Sequence, residues 1–551
     1  MGRISIISKM HNPVHPVKKH LDGITGLRGW KRKRYLLGKM IQTNWFEKWS
    51  RYSPDAIALK DDASGRVYSY QESFALINRF ARVLKSEFSI QAGDRVAVLA
   101  MNEVEFIFLF FAIQHVGAIM VPLNFRLAPR EIEHILKDCS PKLLISQQQF
   151  DETISKISAE TLPSLRVDFD GKDSFLSRLY DASLSGEPAR RSAALRHAGE
   201  PLPSESDFDA GCMILYTSGT TGKAKGAIIT NKMIFWNSIN TTMRLNLTQS
   251  DVSLIFAPFF HTGGWNVLTT PLLHRGAKLI NLKKFDAKRV LRLCDSEGVT
   301  ILFGVPTMMD MLYHSPAFNE VSLKTVRYAI VGGEPMPLQL IKVWQEKGVP
   351  IRQGYGLTEF GVNVFSLNEA DAIRKIGSIG FPNFYIDAKI VDDNNNELGN
   401  DQVGELALRG PVCTPGYWNN PEATAAAIKD GWFHTGDLVR RDAEGYYYVV
   451  DRKKDMFISG AENVYPAEVE HFLRTHPAIR EVAVVGVQDE KWGEVGKAFV
   501  VLKREMKLSV DDVLAFCSGN LAKYKIPKHV EFLNELPKSD SGKILKRALK
   551  E

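Results

Sequence analysis

The chain has 551 residues, 44% apolar and 24% charged, which is ordinary for a soluble globular protein and long enough for about three or four domain-sized units. Its net charge of +7 is concentrated in residues 1–39, where ten Lys or Arg face the single acid Asp22, so the rest of the chain stands at −2 and lacks the basic footprint of a nucleic-acid binder. Five scattered cysteines and thirteen histidines form neither a disulfide framework nor a metal-binding spacing, so a reducing, cytoplasmic setting is expected.

Three readings of residues 1–39 stay open. The segment is a solvated flexible extension, a product of start-site choice ahead of Met40, or an address or arm for peripheral membrane contact. It has no apolar run of secretory length. From Met40 the pattern is αβ. Trp45, Phe46 and Trp49 share a helical face, and Tyr70–Phe88 has a helical period before a turn and the strand Val96–Ala100. Phe106–Leu123 is 18 residues without a charge. Gln114, His115, Gly117 and Pro122 interrupt it, which predicts a buried helix of about ten residues and then the strand Ala118–Val121, rather than a membrane span. Residues 147–209 are polar and read as a surface insertion.

Tyr216–Gly226, YTSGTTGKAKG, follows the apolar run Met213–Leu215 and precedes Ile228–Ile229. Its three glycines, two lysines and four hydroxyls (Thr217, Ser218, Thr220, Thr221) suit a loop that receives phosphate oxygens. It is not a P-loop, because Ala224 follows Gly222-Lys223 and Gly219 stands only three residues before Gly222. Strands at Leu254–Ala257, Lys278–Asn281, Ile301–Gly304 and Tyr328–Val331 alternate with helices. The predicted fold is therefore α/β, with mostly parallel sheets flanked by helices and functional loops at the strands' carboxyl ends.

Four further stretches follow strand candidates. APFFHTGGW (257–265) puts His261 and Trp265 in an apolar setting, where either could equally be a core residue. VGGEPMP (331–337) is a tight turn. QGYGLTEFG (353–361) offers Tyr355 for stacking and Thr358 and Glu359 as oxygen ligands, one carboxylate being enough for Mg²⁺ beside phosphates. WFHTGDL (432–438) carries Asp437, an acceptor suited to ribose hydroxyls. After the aromatic strand Tyr446–Val450 comes DRKKD (451–455), then a small α+β unit in which Pro466 opens a helix. PKSDSGKILK (537–546) reads as a solvated tail or as the carrier of a lysine for a reacting phosphoryl or acyl centre.

Taken together, in this order and spacing, these stretches resemble the acyl-adenylate-forming superfamily, within its acyl-CoA synthetase branch. The resemblance runs from about Met40 to the C-terminus. One departure is Ala224, where the family usually has proline. The resemblance implies a large domain over 40–450, a hinge at 451–454 that pivots on Lys454, and a small mobile domain over 455–551. It implies ATP, Mg²⁺ and CoA as cofactors and a small carboxylic acid as substrate. Thr217, Ser218, Gly219, Thr220, Thr221, Gly222 and Lys225 would embrace the phosphates. Gly332, Gly333, Glu334, Gln353, Gly354, Tyr355 and Gly356 would frame adenine, and Asp437 and Arg452 would bind ribose. Glu359 would hold the metal, with Thr358, Glu359, His261 and Lys543 catalytic. His261, Trp265 and Gly333 would line the acyl pocket, and Ser459, Gly460 and Ala461 would face CoA.

Amino-acid-activating members carry an aspartate where this chain reads FFHT (259–262), so an α-amino acid is not expected. Trp265, four residues after His261, matches the gate of long-chain fatty acyl-CoA synthetases and favours a fatty acid. An aryl or medium-chain acid stays open, as does loading of a carrier protein in place of CoA. The chain ends at Lys550-Glu551 with no attached carrier domain, which favours free CoA. A homodimer is left open. A nucleotide sensor without catalysis is disfavoured by the joint presence of Thr358, Glu359, Asp437, Arg452 and Lys543.

Overall fold

A computed structural model describes residues 44–171, 174–178, 202, 204–217, 224–334, 336–459, 462–518, 520–538 and 544–550. The basic extension 1–39 lies outside them.

A six-stranded sheet runs in the order Leu165–Asp168, Leu143–Ser146, Arg95–Leu99, Ile119–Pro122, Gly211–Thr217, Lys225–Thr230. Its neighbours are parallel except for the last pair, an antiparallel hairpin in which Thr217 stands opposite Lys225. A 14-stranded sheet stands beside it. Its parallel stretch runs Ile57–Asp61, Lys278–Asn281, Val252–Ile255, Ile301–Gly304, Tyr328–Val331, Ile351–Tyr355. The four strands expected from 254 to 331 are present, the first displaced to Val252–Ile255.

Past Tyr355 the same sheet turns antiparallel, through Phe365–Ser366, Ser378–Pro382, Tyr447–Arg452, Trp432–Arg441, Gly404–Arg409 and Asp387–Val391. Of these strands only the aromatic one expected at Tyr446–Val450 is legible in the sequence, and it is observed at Tyr447–Arg452. The link from Tyr355 to Phe365 is too short for the helical crossover that a parallel partner needs, so the strand can only fold back.

The helix Val104–His115 is buried at every position, which is why it is apolar on all faces. It is followed by the strand Ile119–Pro122, and among the described residues no helix is long and apolar enough to cross a membrane. The helix Tyr70–Ser86 starts on a reciprocal cap: Ser69 accepts from the Glu72 amide and Glu72 from the Ser69 amide. The expected surface insertion at 147–209 needs correction. Leu165–Asp168 is an edge strand, and Phe169 and Phe175 are fully buried in the main core. Two phenylalanines set among serines and aspartates leave no periodic signal, yet each removes a large apolar surface from water.

A separate five-stranded sheet is built mainly from the long hairpin Ile479–Asp489 and Gly493–Leu502. The helix Pro466–Leu473 packs Val469 and Leu473 onto Phe457, Val482, Val484 and Val500.

Candidate active site

The strands Val252–Ile255, Ile301–Gly304, Tyr328–Val331 and Ile351–Tyr355 are parallel neighbours in register, so their carboxyl ends form one edge. The segments that follow them carry His261, Trp265, Gly332, Gly333, Glu334, Thr358 and Glu359. Parallel strands place their outgoing loops together, and this is where such sheets bind ligands. Gly333 has φ of +90° and is exposed with Glu334. A Cβ on Gly332 would sit 3.2 Å from the Gly354 carbonyl oxygen, so the two strand ends touch through backbone. Gln353 is a buried strand residue, and its carbonyl accepts from the Leu367 amide. A Cβ on Gly356 would overlap the Val362 carbonyl, which folds the Thr358–Glu359 turn tightly back on the strand. Val362 itself has φ of +90°, a strained value for a β-branched residue.

Two polar groupings sit along this edge. In the first, the Tyr355 hydroxyl donates to Asp437 Oδ2 at 2.5 Å, and Arg452 Nε lies 2.6 Å from Asp437 Oδ1. The pairing is built by the antiparallel register, which sets Asp437 directly opposite Arg452. Asp437 is 4% exposed, and its amide donates to Thr435 Oγ1. Burial pushes the Tyr355 phenol well above its ordinary range and the Asp437 carboxylate adds to the rise, so the phenol remains a donor. Glu405 supports this corner. It accepts from the Gly436 amide and pairs with Lys453, one residue before the expected hinge at Lys454.

In the second grouping, the Tyr417 hydroxyl donates to Glu359 Oε1 at 2.9 Å, and Lys225 Nζ lies 5.6 Å from the Tyr417 ring centroid. Burial, and then the Glu359 carboxylate, raise the Tyr417 phenol well above its usual value. Backbone bonds join the parts: Thr414 N donates to Glu359 O, Trp418 N to Gly226 O, and Ile228 N to Gly416 O. Lys225 and Glu359 are therefore brought to one place by the loop 414–418. Tyr417 is absent from the sequence-based site. The turn-plus-aromatics run Pro415-Gly416-Tyr417-Trp418 was its available signal. Among the described residues no cluster of three ligating side chains could hold a metal. A lone Glu359 still suits Mg²⁺, which takes one or two carboxylates and leaves its other positions to phosphate and water.

The 257–265 segment forms the apolar side. Gly263–Val267 is a π-helical turn, a form often found at functional sites. A Cβ on Gly264 would lie 2.4 Å from the Pro258 carbonyl oxygen, so this tight turn requires glycine. Trp265 is 0% exposed. Its Nε1 donates to the Phe259 carbonyl at 2.6 Å, and its ring packs on Phe259, Phe110 and Phe106. His261 is partly buried, its ring 4.5 Å from that of Phe260.

Thr217 closes the strand before the phosphate loop, and its Oγ1 donates to the Lys225 carbonyl at 3.5 Å. Ser218, Gly219, Thr220, Thr221, Gly222, Gly460, Ala461 and Lys543 lie outside the described residues. Lys454 is exposed, and Ser459 is buried in the five-stranded sheet opposite Glu462.

Residues 46–418 match the AMP-binding enzyme family, and residues 468–543 match the AMP-binding enzyme C-terminal domain. The chain is 37% identical to a feruloyl-CoA synthase of Amycolatopsis sp. over 503 residues, covering 91% of this chain and 97% of that protein. It is 39% identical to a long-chain-fatty-acid–CoA ligase of Mycobacterium tuberculosis, covering 91% and 96%. The structure of ATP-bound MatB from Rhodopseudomonas palustris superposes with a TM-score of 0.82 at 30% identity, covering 93% of this chain and 98% of that one.

Proposed function

The chain belongs to the AMP-binding enzyme family and is an ATP-dependent acid–CoA ligase, and from that premise we propose that its substrate is an apolar carboxylic acid. One observation carries the proposal. Asn363, four residues after Glu359, donates to the Asn266 and Val267 carbonyls, so the polar segment of Tyr355 and Glu359 adjoins the turn that carries Phe259, Phe260 and Trp265.

The acid's carboxylate oxygen attacks the α-phosphorus of ATP, and pyrophosphate leaves with its electron pair. The CoA thiolate then attacks the acyl carbonyl, and AMP leaves. A carboxylate and a triphosphate repel each other, so the first step needs charge neutralisation and in-line placement. In this reading Lys225 and the loop from Thr217 to Gly222 hold the phosphates. Asp437 and Arg452 hold ribose, and Tyr355 with the Gly332–Glu334 turn frames adenine. Thr358 lies at the α-phosphate, and Lys543 bridges carboxylate and phosphate. Glu359 would hold Mg²⁺, which supplies positive charge at the phosphate oxygens. The small sheet turns about Lys454 between the two steps, bringing Ser459, Gly460 and Ala461 toward the thiol.

The position of Trp265 four residues after His261 supports a fatty acid. An aryl acid is the second reading. It is favoured by the complete burial of Trp265 and its bond to the Phe259 carbonyl, both of which a long-chain opening would have to break. A panel of fatty, aryl and medium-chain acids, each with ATP and either CoA or a carrier protein, tests the proposal through AMP release and thioester product. Thioester with an apolar acid and CoA is expected. Product only with charged acids, or only on carrier protein, overturns it.

A further inference from the structure

The turn bearing His261 and Trp265 does not hold its position alone. Its entry is gripped by a side chain from the other large sheet. Asn102 follows the strand Arg95–Leu99 and is 3% exposed. Its Nδ2 donates to the Ala257 carbonyl at 2.9 Å, and its Oδ1 accepts from the Phe259 amide at 3.2 Å. A carboxamide carries a donor and an acceptor side by side, as a peptide group does, so it can bond two alternate backbone sites of one segment. No other side chain of that length offers both.

The grip is itself held in place. Asn281 Nδ2, at the end of the strand Lys278–Asn281, donates to the Asn102 carbonyl at 3.2 Å, and Asn281 is fully buried. Gln147 Oε1 accepts from the Met101 amide at 2.8 Å, and Gln147 Nε2 donates to Glu103 Oε1 at 2.9 Å. Lys283 pairs with the same Glu103 oxygen at 2.8 Å. Asn102 thus stands at the seam where the carboxyl ends of the two large sheets meet. Phe259, whose amide Asn102 accepts from, also takes the Trp265 indole N–H on its own carbonyl.

We propose that Asn102 is a positioning residue that sets the place of the His261–Trp265 turn, and through it the binding and selection of the acid. The proposal rests on the reading of that turn as the acid-side wall. Among the described residues the Asn102 carboxamide bonds only the Ala257 and Phe259 backbone, so the expected influence falls on the acid rather than on ATP. A misplacement of about 1 Å in a wall that positions the substrate is costly.

The test compares steady-state kinetics of the full chain and its Asn102→Ala, Asn102→Asp and Asn281→Ala variants on the acid panel. Asn102→Asp keeps the acceptor for Phe259 and loses the donor for Ala257. Asn281→Ala loosens the grip from behind, and it carries the test if the Asn102 variants do not fold. The expected result is a rise in acid KM of about tenfold, the size of one lost buried hydrogen bond, with ATP KM within about twofold and a changed ranking of acids. An unchanged acid KM and ranking, with only a lower Tm, overturns the proposal. So does an equal change in both KM values. Trp265→Ala separates the two readings. If it leaves the acid ranking unchanged, the acid-side reading fails and the proposal with it. If it shifts the ranking and the Asn102 and Asn281 variants do not, only the positioning role fails.

Discussion

Tyr417 donates its hydroxyl to Glu359 Oε1 at 2.9 Å, placing a neutral phenol between the candidate metal carboxylate and Lys225. The phenol is kept protonated by burial and by the carboxylate itself. Tyr417 therefore orients Glu359 without competing for its charge. Tyr417→Phe keeps the ring under Lys225 and removes only this bond. The Mg²⁺ concentration for half-maximal adenylate formation should rise at least about tenfold, the low end of what one hydrogen bond to a charged group is worth. Titration of Mg²⁺ at fixed ATP measures it, and an unchanged midpoint would remove Tyr417 from the site.

Asp437 and Arg452 should separate stability from binding. Asp437→Ala strands the Tyr355 hydroxyl, which donates to Asp437, and should cost about 1–3 kcal/mol of stability as well as raising ATP KM. Arg452 has a side chain 52% exposed, so Arg452→Ala should cost under about 1 kcal/mol yet still raise ATP KM. Urea unfolding beside ATP titration checks both. A large stability loss with Arg452→Ala would contradict the half-exposed position of the Arg452 side chain.

Lys543→Ala should abolish acyl-AMP formation and leave thioester formation from supplied acyl-AMP largely intact. The two half-reactions are followed separately, by pyrophosphate release and by CoA thioester. Equal loss of both would refute the assignment of Lys543 to the first step alone.

A pH effect on stability comes from His274, remote from the catalytic chemistry. Its ring stacks on Trp45 with centroids 4.1 Å apart, and its Nδ1 lies 2.7 Å from Ser238 Oγ. Burial, with Arg275 adding to it, pushes its pKa down to about 4. The unfolded chain takes up this proton near pH 6.5, before the folded chain does. Stability from this site is therefore full above about pH 6.5 and falls toward pH 4, by up to about 3 kcal/mol. His274→Phe keeps a ring against Trp45 and cannot titrate. The stability difference between the native protein and this variant should shrink from pH 7 to pH 5 in urea unfolding. A constant difference would exclude His274 as its source.

Much of the fold was legible because each signal was local. Val104–His115 is apolar on every face because every face is covered, and Gln114 with His115 at its end marks where the helix stops. The parallel strands from Val252 to Val331 are short apolar runs because both of their faces are covered. The antiparallel half from Phe365 to Arg452 was not legible as a sheet, since Trp432–Arg441 and Tyr447–Arg452 mix buried with partly exposed positions and the pairing depends on partners far along the chain. Phe169 and Phe175 were misread for a related reason, as single anchors in polar sequence.

The sequence by itself determined the family resemblance and the candidate chemistry: the phosphate loop at Tyr216–Gly226, Thr358 with Glu359, Asp437, and Lys543. These are short motifs whose residue types follow from local backbone and charge. Only the tertiary structure decided which groups meet. Asp437 faces Arg452 through an antiparallel register, Glu359 meets Lys225 across Tyr417, and Asn102 reaches Ala257 and Phe259 from the other sheet. The physical reason is that a hydrogen bond is chosen by proximity in space. Asn102 and Phe259 are 157 positions apart, and no local pattern of residues encodes that meeting.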